Sequence, residues 1–144
     1  MSGRATMLGA ALAMLALGSS VGFAQGRSGT NAGRYTTEQA ESGARLYAIN
    51  CAMCHGTRLE GRGEIPALTG RFVAHWAGQP VSDLFAYVSQ AMPQHAPGSL
   101  APEQNAQLVA LLLQANGVPA GNRSLPSDEA ALQRITFDPP VASR

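Results

Sequence analysis

The stretch Cys51-Ala52-Met53-Cys54-His55 is the most informative part of this sequence. Two cysteines separated by two residues and followed at once by a histidine form the attachment pattern of c-type haem. Each thiol can add to one vinyl group of the porphyrin, and the imidazole of His55 is then placed to bind the iron as its proximal ligand. The pattern therefore predicts one covalent haem c, held by Cys51, Cys54 and His55.

Two other uses of a cysteine pair have to be weighed. The chain contains no further cysteine, and besides His55 it has only His75 and His95, which is too few at useful spacing for a zinc site. A redox dithiol is expected within a pattern of alternating strands and helices, and the sequence shows no strand pattern. We favour haem attachment, with the redox dithiol as the alternative.

Residues 1–24 have the organisation of a secretory signal peptide. Arg4 precedes an apolar core from Met7 to Leu17, and Gly22-Phe23-Ala24 supplies small residues before the expected cleavage point. The apolar core is shorter than the roughly 20 residues that span a bilayer, so membrane association is not expected. Retention of the segment as an anchor is the alternative. Because bacteria attach haem c after export, the leader and the haem motif together predict a periplasmic protein.

Charge and composition exclude some partners. Charged residues make up 13% of the chain, and its 10 basic residues are all arginines, against 9 acidic ones. Since Arg4 lies in the leader, the mature chain has balanced formal charge. We therefore expect no nucleic-acid binding and no broad cationic docking surface. The 144 residues suffice for one small domain behind the leader.

After the leader, the composition predicts a flexible lead-in and the residue pattern then predicts a helix. Residues 25–34 are rich in Gly, Ser and Asn and predict a flexible lead-in, and residues 35–121 predict the folded domain. Thr36 can cap the first helix, with Gln39 three positions on. Its apolar face contains Ala40, Gly43, Ala44 and Tyr47.

The middle of the chain predicts a loop and two helices. Residues 57–70 predict a loop, and residues 71–77 a short helix. Ser82 can cap a further helix, which we expect to end at Met92 because Pro93 disfavours helical geometry in the residue before it. The apolar stripe of this helix contains Leu84, Tyr87, Val88 and Ala91.

The C-terminal third predicts one strong helix followed by a tail. The helix runs from Pro102 to about Ala115, with proline at its first position and glycine and proline after its end. Residues 122–144 predict a tail with one short helix at Ser127–Arg134. With no strand pattern anywhere, the fold class is all-α. The apolar stripe of the strong helix contains Leu108, Leu111, Leu112 and Ala115.

Met92 is the candidate for the sixth iron ligand. Of the five methionines, three lie in the leader and Met53 lies inside the haem motif, which leaves Met92. A thioether opposite histidine favours ferrous iron and raises the reduction potential. A lone methionine near a helix end is otherwise more often core filler. His75 is the alternative ligand, and we expect His95 at the surface of the loop that follows Met92.

These features resemble a small class I cytochrome c with one haem. The likeness rests on the helix that leads into residues 51–55, the loop with Pro66, the pair Met92-Pro93 and the final amphipathic helix, and it covers roughly residues 35–121. It implies a few helices wrapped round the haem, with the first and last crossing beside the haem edge. It also implies that the Pro66 carbonyl accepts a hydrogen bond from the imidazole of His55.

A narrower likeness concerns the redox partner. The stretches Ile65-Pro66-Ala67-Leu68, Trp76 to Tyr87 and Asn116 to Gly121 resemble cytochrome domains that accept electrons from quinoprotein dehydrogenases, which oxidise small substrates with pyrroloquinoline quinone. A downstream cytochrome or oxidase would then receive the electrons. Trp76 is a candidate haem contact, either by donating to a propionate or by plain packing. Two departures are Leu111, where an aromatic residue is usual, and Ala101, where serine usually caps the last helix.

The resemblance and the haem motif together predict an exported electron carrier and not an enzyme. The redox chemistry would belong to the cofactor, and the protein would supply ligands, exclusion of water and a docking surface. Two alternatives stay open. One is a haem enzyme or gas sensor with an open or displaceable sixth ligand, and the other is a haem relay subunit of a larger respiratory complex.

Overall fold

The computed structural model describes residues 34–140, and the regular secondary structure within this range is helical, joined by loops that contain two isolated bridges, Arg62 with Ile65 and Pro80 with Thr136. The all-α prediction is therefore confirmed. The predicted signal peptide and all of the predicted lead-in except Arg34 lie outside the described residues. In chain order the helices are α1 Thr37–Asn50, α2 Ala52–His55, α3 Arg71–Trp76, α4 Val81–Ala91, α5 Pro102–Ala115 and α6 Glu129–Leu132.

Helix α1 begins as its sequence predicts. The Thr36 hydroxyl accepts a hydrogen bond from the backbone N–H of Gln39 at 3.2 Å, which satisfies one of the free donors at the helix start. Ala40, Gly43 and Tyr47 are buried, whereas Ala44, placed on the same apolar face by its spacing, is exposed. The buried face of α1 is therefore narrower than predicted.

Gly43 lies where α1 meets α5. A side-chain β-carbon at this position would lie 2.0 Å from the backbone oxygen of Gln107 and 3.1 Å from the Leu111 side chain. Only glycine allows this close approach. Leu111 is buried, and a cavity of about 200 Å³ lies beside it, lined also by Tyr47. The helices therefore pack closely with leucine in place of the usual aromatic residue.

Helix α4 starts two residues earlier than predicted. Its cap position is Pro80, and Ser82 lies inside the first turn, where it makes no capping bond. The prediction that Ser82 caps this helix is wrong, because its buried hydroxyl donates to Gln133 Oε1 at 2.8 Å in the C-terminal segment. The helix ends at Ala91, with Met92 in extended geometry, as Pro93 predicts.

Helix α5 has the predicted bounds but a wider buried surface. Val109, Ala110 and Leu113 are buried together with the predicted apolar stripe, except that Ala115 at the end is exposed. The reason is that α5 packs against α1 on one side and α4 on another. A helix enclosed by neighbours is apolar over more of its circumference.

Residues 122–140, the described part of the predicted tail 122–144, pack against the helices. Leu125, Leu132 and Phe137 are 3%, 0% and 1% exposed. The side chain of Gln39 makes two hydrogen bonds with the backbone of Leu125, donating to its carbonyl at 2.8 Å and accepting from its N–H at 2.7 Å. This stretch therefore forms part of the core. Among residues 34–140, no helix combines the length and apolar character that a membrane span requires.

Candidate cofactor site

One large cavity collects the residues that the sequence singles out. Its volume is about 1090 Å³, slightly above the roughly 300–1,000 Å³ typical of ligand and cofactor pockets. Helices α1 to α5 and the loops between them contribute to its wall. All six predicted site residues line it: Cys51, Cys54, His55, Pro66, Trp76 and Met92.

The two cysteines and the histidine share one turn of chain. The backbone N–H groups of Cys54 and His55 both donate to the carbonyl of Cys51, at 3.1 and 2.9 Å, so the turn that begins at Cys51 carries all three side chains. Both thiols are free, that of Cys51 half-buried and that of Cys54 exposed. Burial, with a smaller contribution from Cys54, raises the pKa of the Cys51 thiol to about 11. Both thiols are available on the cavity wall.

His55 is oriented by the loop opposite it. Its Nδ1 lies 2.9 Å from the backbone oxygen of Pro66. Because a carbonyl can only accept, Nδ1 carries the proton, and Nε2 is left with the free lone pair that a metal requires. This is the contact that the class I resemblance implies. The role of His55 as an iron ligand stays a prediction.

The turn after His55 contains two residues whose importance the sequence does not reveal. Gly61 donates its N–H to the His55 carbonyl at 2.7 Å, and a β-carbon on Gly61 would lie 2.5 Å from the carbonyl oxygen of Ile65. Glu60, which looks like a solvated loop charge in sequence, accepts from the N–H of Arg58 at 2.7 Å. Backbone hydrogen bonds from Glu60 itself and from Arg58 lower the pKa of this carboxyl.

Met92 lies at the C-terminal end of α4. Its N–H still bonds to Val88 at 3.1 Å, but its own φ of −123° and ψ of 150° take the chain out of the helix. The side chain is half-buried and lines the cavity. Pro93 behind it is buried. The chain thus presents a thioether on the wall that also carries the histidine.

Trp76 stands in an aromatic cluster at the cavity wall. Its ring centroid lies 6.2 Å from Phe72, 5.8 Å from Tyr87 and 4.8 Å from His75. Such distances are those of favourable aromatic pairs. Trp76 is half-buried, packs against these rings and lines the cavity, and its donation to a haem propionate stays a prediction.

The other histidines and some arginines also reach the cavity. His75 and His95 are exposed and line it, as do Arg62 and Arg71. The sequence selected none of the arginines as a partner for an anionic group, and the fold brings these two to the wall. Arg58, in the same loop as Arg62, does not line the cavity. The sequence alone could not show this difference, because it depends on how the loop folds.

The donor set fits a haem. Two thiols, an imidazole and a thioether meet at a cavity whose wall includes the apolar side chains of Leu84, Val88, Leu108 and Leu112. Within residues 34–140, no group of three or more His, Cys, Asp or Glu side chains is close enough to hold a bare metal ion. A tetrapyrrole brings its own four nitrogen ligands, so one histidine and one thioether suffice.

Comparison with known proteins agrees with this reading of the site. Residues 38–112, just over half of the 144, match the family described as "Cytochrome C oxidase, cbb3-type, subunit III". A solved structure, the sulfane dehydrogenase SoxCD from Paracoccus pantotrophus, matches with a TM-score of 0.50 and 24% sequence identity. The match covers 67% of this chain and 52% of that one, so this chain spans about half its length. No curated protein matches the chain.

The family match and the described fold decide what kind of protein this is. The likeness to SoxCD shows the fold alone. Cytochromes c bind haem c covalently and transfer electrons. The chain belongs to the cytochrome c family described as cytochrome c oxidase, cbb3-type, subunit III, and is a small, all-helical class I cytochrome c.

Proposed function

We propose that this protein is an exported, periplasmic electron carrier that holds one haem c between His55 and Met92 and accepts electrons from a quinoprotein dehydrogenase. The observation that carries the proposal is the single cavity whose wall includes both attachment cysteines, His55 and Met92. The bound haem iron would supply a one-electron redox couple.

His55 supplies an oriented and basic nitrogen. Its hydrogen bond to the Pro66 carbonyl fixes the ring and the tautomer. Donation from Nδ1 also makes the other ring nitrogen a stronger base. The orientation and basicity of His55 therefore depend on two segments, the haem motif and the loop that contains Pro66.

Met92 supplies a soft, neutral ligand in apolar surroundings. Its thioether favours ferrous iron and raises the reduction potential. The cavity wall also includes the apolar side chains of Leu84, Val88 and Leu108, which would help to keep water from a bound haem. A filled sixth site and a dry wall suit transfer of electrons without binding of small molecules.

The proposed partner class rests on the sequence likeness of residues 65–68, 76–87 and 116–121. The rim of the cavity carries charges of both signs, from Arg62, Arg71, Glu60 and Glu64. A partner that docks there would meet little net charge. Its recognition would then depend on shape and local contacts more than on long-range attraction.

Two further candidates have their own supporting observations. His75 and His95 both line the cavity, and either would serve as a distal base in a haem enzyme or gas sensor. The description of the matching family names an oxidase subunit, which favours a haem relay subunit within a larger respiratory complex. Copurification of the haem protein with native membrane complexes would support the relay.

Covalent attachment and export can be tested together. The periplasmic fraction should contain a haem-staining band that survives denaturing electrophoresis and begins near Gln25. Cys51→Ala should leave at most one thioether bond, through Cys54. Loss of haem on acid-acetone extraction of the wild type would contradict covalent attachment.

Absorption spectra of the oxidised protein test the sixth ligand. We expect the weak long-wavelength band of iron–sulfur ligation in the wild type and its loss in Met92→Ala. This variant should also bind carbon monoxide or cyanide and have a lower reduction potential. Met92→His should lower the potential but keep the iron six-coordinate. Met53→Ala, which changes the exposed methionine of the haem motif, is the matched control and should keep the band.

The carrier proposal fails if the wild type lacks this band and binds carbon monoxide readily. His75→Ala and His95→Ala would then show which histidine serves the open site. Reduction of the purified cytochrome by a quinoprotein dehydrogenase tests the partner class separately, and no reduction by any such enzyme would remove that part of the proposal.

A further inference from the structure

A hydrogen bond from α1 reaches the residue next to the proximal histidine. Tyr47 is 5% exposed, and its hydroxyl donates to the carbonyl of Gly56 at 2.5 Å. Gly56 has a φ of +81°, at which glycine is favoured. Tyr47 therefore holds the point at which the chain turns away from His55.

The same turn leads to the contact that orients the imidazole. Gly61 donates to the His55 carbonyl at 2.7 Å, which closes the turn. Leu68 donates to the Leu59 carbonyl at 2.9 Å, which ties the turn to the segment that contains Pro66. A continuous set of hydrogen bonds thus connects Gly56 to the segment that accepts from His55 Nδ1.

We infer that Tyr47 is a positioning residue for His55, acting by fixing Gly56 and, through the turn of residues 56–61, the hydrogen bond between His55 and Pro66. The inference rests on the proposed function only in requiring His55 to bind the iron. It does not depend on Met92 or on the identity of the redox partner.

The hydroxyl of Tyr47 stays a donor at all ordinary pH values. Burial is the main cause that raises the pKa of Tyr47 to about 12; the charge of Glu60 acts in the same direction, and hydrogen bonding by the Leu59 backbone lowers it. Without this donor, the buried Gly56 carbonyl keeps only a long contact of 3.4 Å from the N–H of Leu59. A buried acceptor without a good partner is costly, so the turn would move to find another donor.

A looser turn has a direct effect on the haem. If the bond from His55 Nδ1 to Pro66 weakens, the imidazole becomes a less basic ligand. Weaker donation to the iron stabilises the ferric form less. The reduction potential should therefore rise when the Tyr47 hydroxyl is removed.

Tyr35 provides a matched control for this experiment. It is 1% exposed, and its hydroxyl also donates to a backbone carbonyl, that of Val118, at 2.5 Å. Tyr47→Phe and Tyr35→Phe, made in the haem-loaded protein, each remove one buried hydroxyl and one hydrogen bond. We expect both to lower the denaturant midpoint, and Tyr47→Phe alone to raise the reduction potential and to shift the proton resonances of the His55 ring.

The result that overturns the inference is an unchanged potential and unchanged His55 resonances in Tyr47→Phe, since the tyrosine would then serve the fold alone. If Tyr47→Phe does not accumulate with haem, 3-fluorotyrosine at position 47 keeps the fold and offers a more acidic, stronger donor. The potential should then fall, and no change relative to 3-fluorotyrosine at position 35 would overturn the inference. Failure of the proposed function would appear in the wild-type spectrum instead, as a missing iron–sulfur band.

Discussion

The two ends of α1 make the same kinds of interaction for different purposes. Just before its start, Tyr35 donates to Val118, and in its first turn Gln39 makes two hydrogen bonds with Leu125. This end therefore binds segments from the C-terminal third of the chain. At its end, Tyr47 donates to Gly56 beside the haem motif. We call these the scaffold end and the site end. A buried hydroxyl stabilises the fold at both, but only at the site end is its partner, Gly56, the neighbour of the proposed haem ligand His55.

Packing differs between the ends as well. Midway along α1, the crossing with α5 leaves no room for a β-carbon on Gly43, and Val109 and Ala110 of α5 are fully buried. The site end is built from the loops before α3 and after α4, whose side chains surround the large cavity. The polypeptide therefore completes its own core from the scaffold end to the middle of α1, whereas the haem would supply the apolar centre at the site end.

The largest effect should come from Gly43→Ala at the crossing of α1 and α5. The new β-carbon would overlap the backbone of Gln107, so one helix must shift. We expect a loss of at least about 3 kcal/mol in the free energy of unfolding and poor recovery of haem-loaded protein. Glu41→Ala, on the exposed face of the same helix, is the control. Denaturant unfolding within about 0.5 kcal/mol of the wild type would contradict the close approach.

Leu132→Ala should break the packing of the C-terminal stretch. This side chain is fully buried, and its loss should cost about 2–5 kcal/mol in the free energy of unfolding. Because the change lies in the scaffold, the reduction potential should stay that of the wild type. Arg134→Ala, two residues on and exposed, should change neither quantity. Equal stability of the two variants would mean that the stretch is dispensable for the fold.

Ala101→Ser should stabilise the start of α5. Gln104 Oε1 already accepts from the Ala101 N–H at 2.9 Å, so a serine hydroxyl would complete a reciprocal cap with the backbone of residue 104. The expected gain is about 0.5–2 kcal/mol, measured by thermal or denaturant unfolding. Ala115→Ser at the exposed end of the helix should give no gain. An equal or lower stability of Ala101→Ser would show that the hydroxyl finds no backbone donor.

Glu60→Gln should alter the pH dependence of stability through the turn at the site end. The folded pKa of this carboxyl is lowered by backbone hydrogen bonds, below a value of about 4.3 in the unfolded chain. Its stabilising contribution is therefore complete above the unfolded value and is lost as the pH falls through the folded one. The stability difference between wild type and Glu60→Gln should be constant near neutral pH and shrink below about pH 4.

Glu64→Gln removes a second acid from the same loop and serves as the control for Glu60→Gln. Denaturant unfolding of all three proteins between acid and neutral pH provides the measurement. If the difference in the free energy of unfolding between wild type and Glu60→Gln stays constant down to the lowest pH measured, Glu60 does not stabilise the turn.

The smallest effect concerns salt. The rim of the cavity carries two arginines and two glutamates, so a docking partner gains little from long-range attraction. The rate of reduction by a purified partner should change only slightly across an ionic-strength series, in which the screening length is about 10 Å at 0.1 M salt. A steep fall with added salt would reveal a localised patch of one sign at the site end.

Several features followed from local sequence. The haem motif, the Thr36 cap, the end of α4 before Pro93 and the bounds of α5 depend on residues within a few positions of each other. Backbone sterics and capping act at this range. The expectation that Ser82 caps α4 failed because a better partner, Gln133, lies 51 positions away in sequence.

The sequence by itself determined the cofactor, the helical class and the two ligand candidates, because these follow from chemical groups at fixed spacing. The tertiary structure alone decided that residues 122–140 contribute to the core and that Tyr47 and Glu60 secure the turn beyond His55. It also decided which arginines reach the cavity. These outcomes depend on which distant groups meet when apolar surface is buried and most buried polar groups find a hydrogen-bond partner, and no local pattern encodes that choice.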